Sequence, residues 1–79
     1  MIAVTVYWFD SSIGPAGEFT QDEVNDMAPV EMVSVGILAR ETDAVIVLAK
    51  DWNANTQCFR GLSLIPKVNV TKIIRHNEV

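Results

Sequence analysis

Apolar residues alternate with polar or small residues along most of this chain, and that alternation is typical of β-strands. Five runs show it, at residues 2–9, 32–40, 44–50, 58–65 and 70–75. From residue 41 onward the runs are separated only by short polar or turn-forming segments. The pattern therefore predicts a β-meander preceded by one additional strand.

Two features of these runs indicate a curved sheet. Residues 44–50 are nearly all apolar, so we expect the third strand to be central and buried on both faces. Gly36 interrupts the second strand, and a glycine there usually marks a bulge or a sharp bend. A small barrel needs such a bend. The sequence predicts a mainly β fold, a five-stranded and strongly bent antiparallel barrel.

One short helix is predicted after the first strand. Thr20 followed by Glu23 forms a capping box, and Pro29 stops the helix after about two turns. So short a helix is not stable alone. We therefore expect Val24 and Met27 to pack against the sheet.

The remaining segments read as connections. Ser11 and Ser12 end the first strand, 51–57 forms a polar loop, and Lys67 to Asn69 forms a single helical turn after Pro66. Residues 76–79 are expected to fray.

Composition indicates one domain, residues 1–79, that associates with itself. Hydrophobic residues make up 49% of the chain and the mean hydropathy is +0.23. A lone barrel of this size cannot bury so many apolar side chains. Either both faces of the sheet are therefore covered, or part of the surface is buried against another copy.

The charge is divided between the two halves of the chain. Residues 1–39 carry six acids and no Lys or Arg, which gives −6, and residues 40–79 carry six bases and four acids, which gives +2. The net charge of −4 argues against non-specific nucleic-acid binding. The asymmetry either steers one subunit onto the next or reflects chance on a solvated surface.

The sequence favours a cytoplasmic location. For a phage-encoded protein, this would be the cytoplasm of the host cell. The single cysteine, Cys58, cannot form an intrachain disulfide. The N-terminus lacks a basic region and no apolar run has the length of a membrane span, so we expect neither a signal peptide nor a membrane association.

No catalytic, metal-binding or cofactor-binding residues are predicted, and we expect a protein that is not an enzyme. The only histidine, His76, would have to meet Cys58 to form a nucleophile–base pair. The acids around Asp22 are explained by a solvated helix face. A small hydrolase is the class least favoured by this sequence.

The candidate ligand-binding residues surround the polar loop. They combine an aromatic side chain with cations and amides, a set suited to stacking on and hydrogen bonding to a base: Lys50, Trp52, Asn53, Asn55 and Arg60. The alternative is that Trp52 only packs over one end of the barrel.

Several segments together resemble small uncharacterised proteins of phages and prophages with Sm-like, SH3-type barrels. They are Trp8-Phe9-Asp10, the short acidic helix, the stretch from Val33 to Trp52 and the Ile65-Pro66-Lys67 segment. The resemblance implies a homo-oligomeric ring, because the last two strands of Sm-like proteins pair with neighbouring subunits. It also implies single-stranded RNA as a ligand.

The chain departs from the usual Sm RNA-binding pattern. Glu41-Thr42-Asp43 is too short to supply the Asp-x-x-Met-Asn type of loop, and Arg60-Gly61 lies at the beginning of the fourth strand instead of after it. RNA contacts are therefore not transferred residue by residue. The preferred hypothesis is an oligomer-forming Sm-like module that binds RNA or a nucleotide. The alternative is a phage-encoded accessory or inhibitor protein that binds a host protein.

Overall fold

The computed structural model describes residues 1–10 and 16–76, and these contain five strands and almost no helix. The turn predicted at Ser11 and Ser12 and residues 77–79 of the tail lie outside the described residues. In chain order the elements are β1 (Ala3–Asp10), α1 (Gln21–Asn25), β2 (Val30–Glu41), β3 (Val45–Asn53), β4 (Cys58–Pro66), a 3₁₀ turn (Lys67–Asn69) and β5 (Val70–Arg75).

All five strands form one antiparallel sheet in the order β4-β3-β2-β1-β5. The predicted mainly β fold is confirmed. The sheet is not closed into a barrel, since β4 and β5 lie at its opposite edges and do not pair with each other. The central strand is β2 rather than β3, because β1 pairs with β2 and places β5 on its far side.

The core lies on one face of the sheet. Side chains alternate between the two faces of a strand, and paired residues share a face. The buried side chains come from β1, β3 and β4: Val4, Val6, Ile46, Leu48 and Ile65. Strands that are not neighbours contribute to a single cluster, so the sheet curls around this side. We call it the concave face and the opposite side the convex face.

β2 changes partner along its length. Residues 30–37 pair with β1, whereas Ile37 to Glu41 pair with β3, with a bulge between Leu38 and Arg40. A Cβ atom at Gly36 would lie 2.8 Å from the carbonyl oxygen of Ala49. Gly36 therefore permits the close approach of β3, and the bulge that was predicted there falls after Leu38.

The helix has the predicted cap but not the predicted packing. The Thr20 side chain accepts from the Glu23 backbone N–H, and the Glu23 carboxylate accepts from the Thr20 N–H. None of the residues of α1 is buried, and Val24 and Met27 are 47% and 51% exposed. The helix precedes the outer end of β2, whereas the core surrounds the other end of that strand, so the expected contact does not form.

Candidate functional site

A cavity of about 270 Å³ opens where β2 and β3 separate. β2 pairs with β3 only from Ile37 to Glu41, so residues 30–36 of β2 and the end of β3 after Ala49 diverge, while β3 stays paired with β4. The cavity walls combine small, apolar and basic residues: Ser34, Val35, Leu48, Ala49, Lys50, Gly61 and Ser63. Its size is close to the lower end for small-ligand sites.

Ser34 is held in place from β1. The Trp8 indole Nε1–H donates to the Ser34 hydroxyl oxygen at 2.9 Å. The two residues are diagonal neighbours on the concave face, because Ser34 pairs with Val6 and Trp8 pairs with Met32. A hydroxyl that accepts one hydrogen bond retains its own hydrogen for donation. Ser34 is therefore oriented by Trp8 and has a donor available for a molecule in the cavity.

Lys50 lies across the hairpin from Gly61. Gly61 has φ +67°, and a Cβ atom built there would lie 2.8 Å from the Lys50 Cβ. Glycine adopts this left-handed conformation at little cost, and its missing side chain makes room for the Lys50 stem. The Lys50 amine, which is exposed and makes no ion pair with any described residue, is the cation of the cavity.

Trp52 belongs to β3, not to the predicted loop, because β3 extends to Asn53. It pairs with Phe59 of β4, and the two rings make an edge-to-face contact with centroids 4.8 Å apart. Trp52 and Lys50 share the concave face, since they are two residues apart on one strand. The packing alternative is thus observed in part, as Trp52 stacks within its own hairpin.

The other predicted ligand residues are separated from this pair. The Asn53 side-chain oxygen accepts from the backbone N–H groups of Asn55 and Thr56, so it caps the hairpin loop. Asn55 itself is exposed in the loop, outside the cavity. Arg60 lies opposite Asp51 and points to the convex face. The structure brings Lys50 and Trp52 to one face and does not bring all five residues together.

Of the seven residues that line the cavity, sequence reasoning identified only Lys50, and the six that it missed include Ser34, Gly61 and Ser63. These three are small and chemically common, and the cavity forms only because β2 and β4 are brought to the two sides of β3. The position of Gly61 opposite Lys50 follows from the register of the β3–β4 hairpin. That register was the only signal that could have identified them.

The strongest electrostatic interaction lies at the other end of the sheet, where Glu41 binds two cations. Its carboxylate accepts two hydrogen bonds of 2.8 Å from the Arg75 guanidinium and one of 2.7 Å from the Lys67 amine. The hydrogen bonds from Arg75, then those from Lys67, lower the pKa of Glu41 from 4.5 to about 2. This ion pair occupies two of the six bases in the chain.

Among residues 1–10 and 16–76, Cys58 and His76 make separate contacts and no metal-ligand cluster is found. The Cys58 thiol donates to the Thr56 carbonyl in the hairpin, and His76 contacts the Thr5 hydroxyl beyond β5, so these two side chains do not meet. The His76 backbone N–H also extends the ladder to Ala3 instead of fraying. No group of three or more His, Cys, Asp or Glu side chains in the described part could hold a metal ion.

Both outer edges of the sheet carry backbone groups that no described strand pairs with. The Lys67 N–H donates to the Ala44 carbonyl oxygen, and this bond shows which residue pairs of the β3–β4 ladder are hydrogen-bonded. Since hydrogen-bonded and non-hydrogen-bonded pairs alternate, the backbone groups of Leu62 and Leu64 point away from β3. Pro66 also occupies a non-hydrogen-bonded position, so its lack of an N–H removes no hydrogen bond to β3.

The convex face is apolar and exposed. Val35, Leu62 and Leu64 are between 62% and 69% exposed, and Val33 is 55% exposed. Soluble monomers rarely expose contiguous apolar surface on this scale without a function for it.

No helix in the described part of the chain is both long and apolar enough to cross a membrane. The chain matches no protein-family model, no curated protein and no solved structure.

Proposed function

We propose that this protein is a non-enzymatic module that associates with itself and binds a ligand, with an Sm-like mode of assembly. The observation that carries the proposal is the open sheet, in which β4 and β5 both present unpaired edges. An exposed edge is a template for pairing with another chain unless the protein blocks it. At the middle of β4 this edge carries the apolar residues Leu62 and Leu64, between Arg60 and Pro66.

The Sm-like identity is supported by the order of the elements. A short helix follows the first strand, a 3₁₀ turn precedes the last, and the last two strands occupy the edges at which the resemblance expects subunits to join. Pairing of β4 or β5 with a neighbouring copy would produce the homo-oligomeric ring.

A proline at position 64 tests the edge. Leu64→Pro removes an outward-facing N–H but no hydrogen bond to β3, so the hairpin is retained and pairing with a neighbour is lost. The control is Leu64→Val, which keeps both an apolar side chain and the N–H.

Sedimentation velocity gives the readout for these variants. We expect Leu64→Pro to sediment as a monomer and Leu64→Val to retain the larger species. If both variants assemble like the wild type, the β4 edge is not the contact. Circular dichroism verifies that each variant is folded.

The ligand that best fits the cavity is a nucleotide or a segment of single-stranded RNA. The Lys50 amine suits a phosphate, the hydroxyls of Ser34 and Ser63 suit base or sugar edges, and Trp52 offers an aromatic edge nearby. Because the net charge of −4 opposes non-specific phosphate binding, nucleic acid is expected to bind only at this cavity.

Tryptophan fluorescence tests this ligand class. The chain contains two tryptophans, Trp8 and Trp52, and Trp8 is retained because its indole orients Ser34. Titration with AMP and with oligouridylate is expected to change the emission and to weaken on Lys50→Gln. Lys72→Gln, on the convex face, is the matched control. Identical titrations for both glutamine variants would rule out the cavity as the site.

A second function is supported by the acidic N-terminal half. A phage-encoded accessory or inhibitor protein could present these charges to a basic host protein, much as nucleic acid does. Residues 18–31 contain five acids, and no ion pair involves them among the described residues. Capture of a defined host protein that is lost on reversal of Asp22, Glu23 and Asp26 would favour this function over assembly.

A further inference from the structure

We infer that the segment from residue 16 to Pro29, here called the acidic arm, docks on the convex face of a second copy of this chain. The inference rests on the proposed self-association and identifies the surfaces that meet. It starts from two exposed apolar surfaces of the same molecule, one on the arm and one on the sheet.

The arm is amphipathic, and its apolar side chains remain largely exposed among the described residues. Phe19, Val24 and Met27 are 40%, 47% and 51% exposed, although α1 is too short to be stable without packing. Its charged residues are all acidic: Glu18, Asp22, Glu23 and Asp26. The arm therefore needs an apolar surface bordered by bases.

The convex face has this composition. Its apolar residues include Val35, Leu62 and Leu64, and three bases share the face by strand register: Arg40 beside Val47, Arg60 beside Asp51, and Lys72 beside Tyr7. None of the three bases makes an ion pair with a described residue, even though Asp51 lies opposite Arg60.

The arm of the same chain cannot cover the Leu64 region. Leu64 pairs with Val47, and Val47 pairs with Arg40 of β2. Arg40 lies ten residues along β2 from Val30, the residue that follows the arm. Ten residues of strand span about 30 Å. Val24 lies six residues before Val30 and reaches about 20 Å at most, even fully extended. Phe19 lies eleven residues before Val30 and reaches about 28 Å, because the five residues of α1 rise only about 1.5 Å each. Leu64 is also two strands across the sheet from β2, which adds a lateral separation of about 10 Å. The arm that covers Leu64 must come from another copy.

Charge reversal tests this arrangement. The arm variant carries Asp22→Lys and Asp26→Lys, which spare the capping residue Glu23, and the face variant carries Arg40→Glu and Arg60→Glu. Each is expected to raise the dissociation constant of the self-assembled species by about tenfold or more, because like charges then meet.

Combining the four substitutions restores opposite charges across the contact. We expect the combined variant to recover most of the lost affinity, and an equimolar mixture of the arm and face variants to associate more tightly than either alone. Asp43→Lys is the control, because Asp43 is exposed and lies outside the two surfaces and the cavity.

The single cysteine provides a direct readout that does not depend on affinity. Cys58 is exposed on β4, two residues from Arg60 on the same face. A benzophenone coupled to Cys58 is expected to crosslink to residues 19–27. In a mixture of ¹⁵N-labelled and unlabelled protein, mass spectrometry is expected to find the crosslink between chains.

The outcomes separate this inference from the proposed function. A wild-type chain that does not self-associate overturns both. An oligomer whose affinity is unchanged by the charge reversals, or whose Cys58 crosslinks avoid the arm, keeps the proposed self-association and overturns the docking of the arm.

Discussion

Glu41 and Arg75 join the ends of two strands that are not neighbours. Glu41 ends β2 and Arg75 ends β5, with β1 between them, and their carboxylate and guanidinium make two hydrogen bonds of 2.8 Å. Lys67 of the 3₁₀ turn binds the same carboxylate. The three residues hold the curled end of the sheet together, and the opposite end, where β2 and β3 separate, remains open.

The Glu41 carboxylate makes stability depend on pH. Its pKa is about 2 in the folded chain and near 4.5 without its partners, because hydrogen bonds from Arg75 and Lys67 favour the charged form. A depressed pKa contributes stability that is complete above about pH 4.5 and is lost as the pH falls towards 2. We expect Glu41→Gln to cost about 1 kcal/mol at pH 7, since the pair is partly exposed to solvent.

Urea unfolding of the wild type and Glu41→Gln at pH 7, 4 and 3 measures this effect. The difference between the two proteins is expected to shrink as the pH is lowered. Asp43→Asn is the control, as Asp43 is exposed in the adjacent turn and makes no ion pair with a described residue. A difference that stays constant from pH 7 to pH 3 would contradict the role of the ion pair.

Gly36→Ala is expected to destabilise the fold. The added Cβ atom would lie 2.8 Å from a backbone oxygen of Ala49 and 3.2 Å from the Leu48 Cβ, so β2 and β3 would have to separate. Overpacking of this kind costs about 1–3 kcal/mol. Val35→Ala, one residue away and 69% exposed, is expected to cost much less. Equal loss of stability in the two variants, measured by thermal unfolding, would disprove the close-approach explanation.

Gly61→Ala is expected to affect both the hairpin and the cavity. Alanine is disfavoured at φ +67°, by about 1–2 kcal/mol, and its Cβ would displace the Lys50 stem. Ligand binding in the cavity is therefore expected to weaken together with stability.

Gly61→Asn separates the two causes at position 61, because asparagine tolerates the left-handed conformation but still carries a Cβ atom. We expect it to regain stability relative to alanine and to remain weak in binding. If Gly61→Asn binds ligand like the wild type, displacement of Lys50 is not the cause.

Ser34→Ala removes the acceptor for the Trp8 indole. The Trp8 N–H, which is partly buried, would then lack its 2.9 Å hydrogen bond. Leaving such a donor unsatisfied costs about 1–3 kcal/mol. Ser34→Thr retains the hydroxyl and is expected to recover most of the loss in thermal unfolding. Equal destabilisation by the two substitutions would show that packing, not the hydrogen bond, matters at this position.

Local sequence signals predicted the elements well, whereas interactions between distant segments were harder to predict. The capping box of Thr20 and Glu23, the 3₁₀ turn after Pro66 and the last strand all follow from short-range chemistry. The position of β1 beside β2 does not, since it depends on pairing residues about 30 apart in sequence. For this reason β3 was wrongly predicted to be the central strand.

The candidate site was predicted only in part for the same reason. Lys50 and Trp52 share a face because they are two residues apart on one strand. Asn53 is used by the hairpin loop, and Arg60 lies on the opposite face, which only the register of β3 and β4 determines. The helix was expected to cover its own sheet, but its connection to the outer end of β2 leaves it without a partner.

Light scattering coupled to size-exclusion chromatography tests the central claim most directly. At a protein concentration of about 100 µM, weak but specific association is detectable. The open edges and the exposed convex face predict a mass that is a multiple of 8.7 kDa and falls on dilution. A single species of 8.7 kDa at every concentration would contradict the account.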